Sequence, residues 1–148
     1  LAELYRASGD NEKSRAVYAY AVAHIPDSAE LRYGHALALI RLNRMDEAVD
    51  ELRNALRLSP GNSRYVTTFA AALDASGRTE AALDELHRAI LAGGSDADVL
   101  VAAIQYGLKL ERYPQTLGYA EALDRLQPGN PNLQALIGQL REALSSRP

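Results

Sequence analysis

The sequence predicts an all-α fold of antiparallel helix pairs stacked side by side, about four pairs and one closing helix. Three observations predict it. The 148 residues lean to Ala and Leu, with one Phe and no Trp, and Ala and Leu are strong helix formers. Between breakpoints the apolar residues recur every third or fourth position, the period of an amphipathic helix rather than the alternation of a strand. The breakpoints themselves repeat. Pro26 and Pro60 lie 34 residues apart, Pro60 and Pro128 lie 68 apart, and Gly94 takes the position between them. Gly9, Asn43, Gly77 and Glu111 form a second ladder with the same spacing, Ala48, Ala82 and Thr116 a third, and Ala21, Ala55 and Ala89 a fourth.

Each ladder has a physical reason. Proline lacks an N–H and fixes φ, so it stops one helix and opens the next connection. Gly or Asn at the other breakpoint tolerates the left-handed conformation of a tight helix–helix turn. Glu111 departs from that rule, at a conformational penalty of about 1 kcal/mol. Ala at the helix crossings lets two backbones approach closely, where Leu would overpack by about 1–3 kcal/mol.

In chain order, the first pair is predicted at 1–8 and 12–25, split by Gly9 and closed at Pro26. Leu31, Ala36, Ala38, Leu39 and Leu42 mark a helix over 29–42. Ala48, Val49, Leu52, Ala55, Leu56 and Leu58 mark the next over 46–59, with Asp46 and Glu47 in its first turn and Arg57 in its last, the ends the helix dipole favours. Helices follow at 63–76 and 79–92, separated by Gly77, and at 97–110 and 113–126, separated by Glu111. Gly93-Gly94 reads as a stretched turn standing where proline is otherwise used. In the fourth pair Ile104 and Gly107 exchange small and large positions, as do Ala120 and Leu123, a pattern of compensated repacking. A last helix from Pro131 to about residue 145 has no partner and is expected to cover the exposed edge of the fourth pair.

Composition narrows the chemistry. Net charge is −3, with 16 basic and 19 acidic residues interspersed. That is a solvated mixed surface rather than the basic face a nucleic acid requires. With no cysteine, disulfides, thiolate metal sites and a cysteine nucleophile are excluded. No apolar run approaches the roughly 18–20 residues that span a bilayer. The chain opens on Leu1, with no signal-peptide pattern after it. The expectation is a portion of a longer protein, its compartment left open.

The segments Arg44-Met45-Asp46-Glu47-Ala48-Val49 and Ala55-Leu56-Arg57-Leu58-Ser59-Pro60-Gly61-Asn62 resemble the second helix and exit turn of a tetratricopeptide repeat. Gly77-Arg78-Thr79-Glu80-Ala81-Ala82-Leu83 is similar, as is Glu111-Arg112-Tyr113 through Pro128-Gly129-Asn130-Pro131. The resemblance covers essentially the whole chain. It implies one array over 1–148: a partial repeat at 1–28, repeats at 29–62, 63–96 and 97–130, and a capping helix at 131–145. It also implies a right-handed superhelical solenoid whose first helices line a concave face. Tyr119-Ala120-Glu121-Ala122-Leu123 and Leu126-Gln127-Pro128-Gly129-Asn130-Pro131 further resemble C-terminal tetratricopeptide arrays of large bacterial proteins, some of them envelope proteins with multihaem cytochrome domains.

Carried over residue by residue, the resemblance places Glu30, Tyr33, Leu37 and Ile40 of the second repeat on the concave face. Arg64, Thr67, Ala71 and Asp74 follow from the third, and Asp98, Val101, Gln105 and Leu108 from the fourth. Together they imply an apolar floor with charged rims, suited to an amphipathic helix or an extended apolar segment. Tyr33, Leu37, Thr67 and Ala71 stand where a chaperone-tail carboxylate clamp would need Lys and Asn, so no such clamp is expected. The same floor is open to a second reading, as a packing face against neighbouring helices or the rest of the parent chain.

Catalytic candidates are poor. His24, His35 and His87 occupy different places in the repeat, without the spacing or carboxylate company of a metal site; His35 lies at a packing position. The Asp46-Glu47 and Asp84-Glu85 pairs read as solvated helix charges with no apolar pocket to raise a pKa. Gly93-Gly94 with Ser95-Asp96 lacks the Lys and spacing of a phosphate loop. Tyr5, Tyr18 and Tyr113 fall where such repeats pack aromatics. The expectation is a non-enzymatic module, without cofactor or metal, that holds a protein or peptide partner and neither binds nucleic acid nor enters a membrane. The alternative is a structural spacer or self-associating segment of a larger bacterial protein, as a homo-oligomer or docked on its parent chain.

Overall fold

A computed structural model describes residues 1–94 and 96–146. Among these residues every regular element is a helix. The order is α1 (Ala2–Ala7), α2 (Asn11–His24), α3 (Ala29–Arg41), α4 (Met45–Leu58), α5 (Ser63–Ala75), α6 (Thr79–Leu91), α7 (Ala97–Lys109), α8 (Tyr113–Leu126) and α9 (Pro131–Ser145). Every end lies within one residue of its predicted place. The chain separates into two compact units, Leu1–Arg78 with α1 to α5 and a second from Thr79 onward with α6 to α9.

The helix starts show why these segments fold as they do. Side chains of Ser28, Asn62, Asp96 and Asn130 accept hydrogen bonds from the amides of Leu31, Tyr65, Val99 and Leu133. They satisfy first-turn donors that would otherwise have no partner. These four caps are themselves 34 residues apart. At the breakpoints, Gly9, Asn43, Gly77 and Glu111 have φ of 80°, 58°, 76° and 55°, as the second ladder predicts. The turn after α6 uses the same device. Gly93 has φ 92°, and the Gly94 amide donates to the Ala89 carbonyl at 2.9 Å. Gly93 rather than Gly94, the residue in register with the prolines, therefore makes the reversal. Ser95, part of the rejected phosphate-loop motif, lies outside the described residues.

In the first unit, α3 packs between α2 and α4, and α5 packs on α4. Its core holds Ala36, Ala38, Leu39, Ala48, Val49, Leu52 and Ala55 on α3 and α4. The approach of α2 to α3 is close enough that a Cβ on Gly34 would collide with the Tyr18 ring. Tyr18 also donates to Glu3 Oε1 of α1 at 2.7 Å. Burial, and after it the Glu3 carboxylate, push the Tyr18 hydroxyl up to about 12. In the second unit, α7 packs between α6 and α8, and α9 covers the far side of α8 with buried Leu133, Ile137 and Leu140.

Candidate partner-binding groove

In the first unit, α3 and α5 carry the predicted groove residues on neighbouring helices. An open groove of about 400 Å³ is lined by Leu37 and Ile40 of α3, Met45 at the start of α4, and Thr67, Thr68, Ala71, Ala72 and Ala75 of α5. Four predicted residues, Leu37, Ile40, Thr67 and Ala71, are thus brought together. No lining residue is charged. The two threonine hydroxyls are committed within the protein: Thr67 donates to the Ser63 carbonyl at 2.9 Å, and Thr68 shares a 3.1 Å hydrogen bond with the Tyr33 hydroxyl. What the groove offers a ligand is therefore apolar surface, with small side chains on the α5 side that admit a bulky one.

Tyr33 belongs behind this wall rather than on it. It is 7% exposed, stacks on Tyr65 with ring centroids 4.6 Å apart, and has the Arg64 guanidinium over its ring, 4.9 Å from the centroid. Burial of so large a ring stabilises the helix pair more than exposure in a groove would allow. Glu30 and Arg64 are exposed, and Asp74 is half-buried. On α7 of the second unit, Asp98 and Gln105 are exposed, with Val101 52% and Leu108 37% exposed beside them. Reading one sequence period missed Met45, Thr68, Ala72 and Ala75. Ala75 was within reach, lying four residues after Ala71 on the same face.

The histidines make single side-chain contacts that the sequence spacing did not show. His35 Nδ1 lies 3.2 Å from Glu51 Oε1, while Arg32 Nη1 lies 3.0 Å from Glu51 Oε2. His35 and, after it, Arg32 hold the Glu51 carboxyl below the ordinary carboxylate range against the opposing effect of burial. His87 Nδ1 bonds the Tyr119 hydroxyl at 2.8 Å. Among the described residues no group of three or more His, Cys, Asp or Glu is placed to hold a metal ion. No helix among the described residues is long and apolar enough to cross a membrane. The aromatic expectation also shifts: Tyr5, Tyr18 and Tyr113 are half-buried, and the fully buried tyrosines are Tyr33, Tyr65, Tyr106 and Tyr119.

Two tetratricopeptide repeat family models match, one over residues 1–63 and the other over residues 44–104. The chain belongs to the tetratricopeptide repeat family. Solved members share this tetratricopeptide fold. The crystal structure of MamA superposes with a TM-score of 0.78 at 17% identity, covering 98% of this chain and 85% of that one. That of YrrB, a TPR protein with an unusual peptide-binding site, superposes with a TM-score of 0.73 at 20% identity, covering 99% of this chain and 75% of that one. Among curated proteins, cellulose synthase operon protein C of Pseudomonas fluorescens (strain SBW25) is 31% identical over 90 residues, 61% of this chain. That match spans only 7% of the relative's length.

Proposed function

We propose that this tetratricopeptide module holds an apolar segment of a partner protein, an amphipathic helix or an extended peptide, in the groove between α3 and α5. The observation that carries the reading is the uncharged lining, in which Leu37, Ile40, Met45 and the Ala71–Ala72–Ala75 stretch meet and both threonine hydroxyls are already bonded. Such a surface is made for burying an apolar side chain. The family is in general a non-catalytic interaction fold, and YrrB's peptide-binding site offers a parallel in the same fold.

Helical peptides selected by display on the wild-type chain provide the probe. Leu37→Glu combined with Ala71→Glu is expected to weaken the selected peptide by at least about tenfold, the equivalent of 1.4 kcal/mol. The melting temperature should stay within about 4 °C of wild type, because Ala71 is exposed and Leu37 only half-buried. Ala16→Glu, on an exposed position of α2, should leave binding unchanged. Undiminished binding by the double variant would remove the groove from consideration. Tyr33 is unsuitable for this test because it is buried.

A further inference from the structure

Met45 is the single methionine of the chain, and it stands in the groove lining rather than in a core. It opens α4 and is half-buried, sharing the lining with Leu37, Ile40 and Ala75. A thioether packs as an apolar group, yet its sulfur can be oxidised to a polar sulfoxide. The rest of the lining is Leu, Ile, Thr and Ala, which mild peroxides leave unchanged.

Two features decide what one added oxygen would do there. The first is the shortage of donors. The Thr67 and Thr68 hydroxyls are already bonded within the protein. Arg44, next to Met45 in sequence, is turned to the Glu47 carboxylate through contacts of 2.6 Å and 2.7 Å. A sulfoxide oxygen on Met45 would enter a surface whose hydroxyls are committed, and covering it with an apolar ligand costs affinity. The second feature is register. Asn11, Thr79 and Tyr113 occupy the same position at the starts of α2, α6 and α8, and each carries a polar group. The repeat accommodates polarity at this position, so a ligand should feel the change and the fold should not.

We propose that Met45 is an oxidation site that controls the groove: a peroxide converts it to methionine sulfoxide and weakens the hold on an apolar segment, and reduction restores it. The sulfur lone pair attacks a peroxide oxygen. The S–O bond forms, the O–O bond breaks, and the departing hydroxide takes up the remaining proton as water. Sulfur is oxidised by one two-electron step and the peroxide is reduced. A thiol-dependent sulfoxide reductase reverses the change, with the thiols ending as a disulfide and the oxygen leaving as water. The inference rests on the reading of the α3/α5 groove as the ligand site.

The test uses the full chain and a display-selected helical peptide that lacks Met and Cys. The chain is treated with hydrogen peroxide, the excess is destroyed with catalase, and peptide mapping locates the added oxygen on Met45. The oxidised chain should bind the peptide at least about fivefold more weakly, with its melting temperature within about 3 °C of the untreated chain. Methionine sulfoxide reductase with dithiothreitol should return the affinity. Met45→Leu, a volume-conserving change, should bind as the untreated chain does and should not respond to peroxide. Wild-type affinity in the oxidised chain, an equal loss in Met45→Leu, or a loss that accompanies unfolding would each overturn the inference. The Leu37→Glu, Ala71→Glu variant separates the two ideas. If it weakens binding while oxidation does not, control by Met45 falls and the groove stands; if it leaves binding undiminished, the groove reading falls and this inference with it.

Discussion

Thr116 stands on α8 where Ala48 and Ala82 stand on α4 and α6, and its hydroxyl donates to the Arg112 carbonyl at 2.8 Å. The extra atoms are accommodated by Gly107 on α7, where a Cβ would collide with the Thr116 hydroxyl. Two effects then compete in Gly107→Ala. Helix propensity favours Ala by about 1 kcal/mol, and overpacking against Thr116 opposes it by about 1–3 kcal/mol. Overpacking is the stronger of the two, so Gly107→Ala is expected to destabilise by up to about 2 kcal/mol in urea unfolding. In a Thr116→Ala background the same change should stabilise by about 1 kcal/mol. Absence of that sign reversal would mean the two positions are uncoupled. Ser14 occupies the same ladder position on α2, fully buried, and its hydroxyl has no hydrogen-bond partner among the described residues.

Glu51 makes a second local case. Its folded-state carboxyl is held below the ordinary 4.5, first by His35 and then by Arg32. Protonation therefore favours the unfolded chain. The stabilisation is complete above the ordinary value and fades as pH falls through and below it. Glu51→Gln should lower stability at neutral pH and flatten the acid limb between about pH 5 and pH 3. Thermal melts across that range would contradict this if the variant kept the wild-type slope.

A helix in this chain is defined by how it starts and by which of its faces is covered. The capping ladder Ser28, Asn62, Asp96 and Asn130 begins α3, α5, α7 and α9 at equal spacing. It was open to reading beside the proline ladder, since Ser, Asn and Asp before an apolar run are start signals. The second helices α4 and α8 begin without a side-chain cap, two residues after the left-handed Asn43 and Glu111. There the turn, rather than a cap, sets the start. In α9 the two faces should respond differently to substitution. Leu140 is 3% exposed against α8, so Leu140→Ala should cost about 2–4 kcal/mol. Gln139 faces water, and Gln139→Ala should stay within about 0.5 kcal/mol. Equal costs in chemical denaturation would show that the outer face is covered as well.

For the whole molecule, the repeat period, the breakpoints and the helix limits were legible from the sequence because each is a local property. A left-handed turn, a proline stop and a 3.6-residue apolar period all act within one or two turns of chain. Which residues of a face are buried was not legible in the same way. Tyr33 and Leu37 lie four apart on one helix face, yet Tyr33 is packed under Arg64 and against Tyr65 while Leu37 lines the groove. His35 and Glu51 meet although nothing in either segment announces the other. Thr116 reads as a misplaced member of an alanine ladder until Gly107 is seen opposite it. The sequence by itself determined the family, the helices and their order. Only tertiary structure decided the groove lining and the His35–Glu51 approach. Periodicity marks a face, but what fills that face depends on the volumes and crossing of side chains brought together from distant segments.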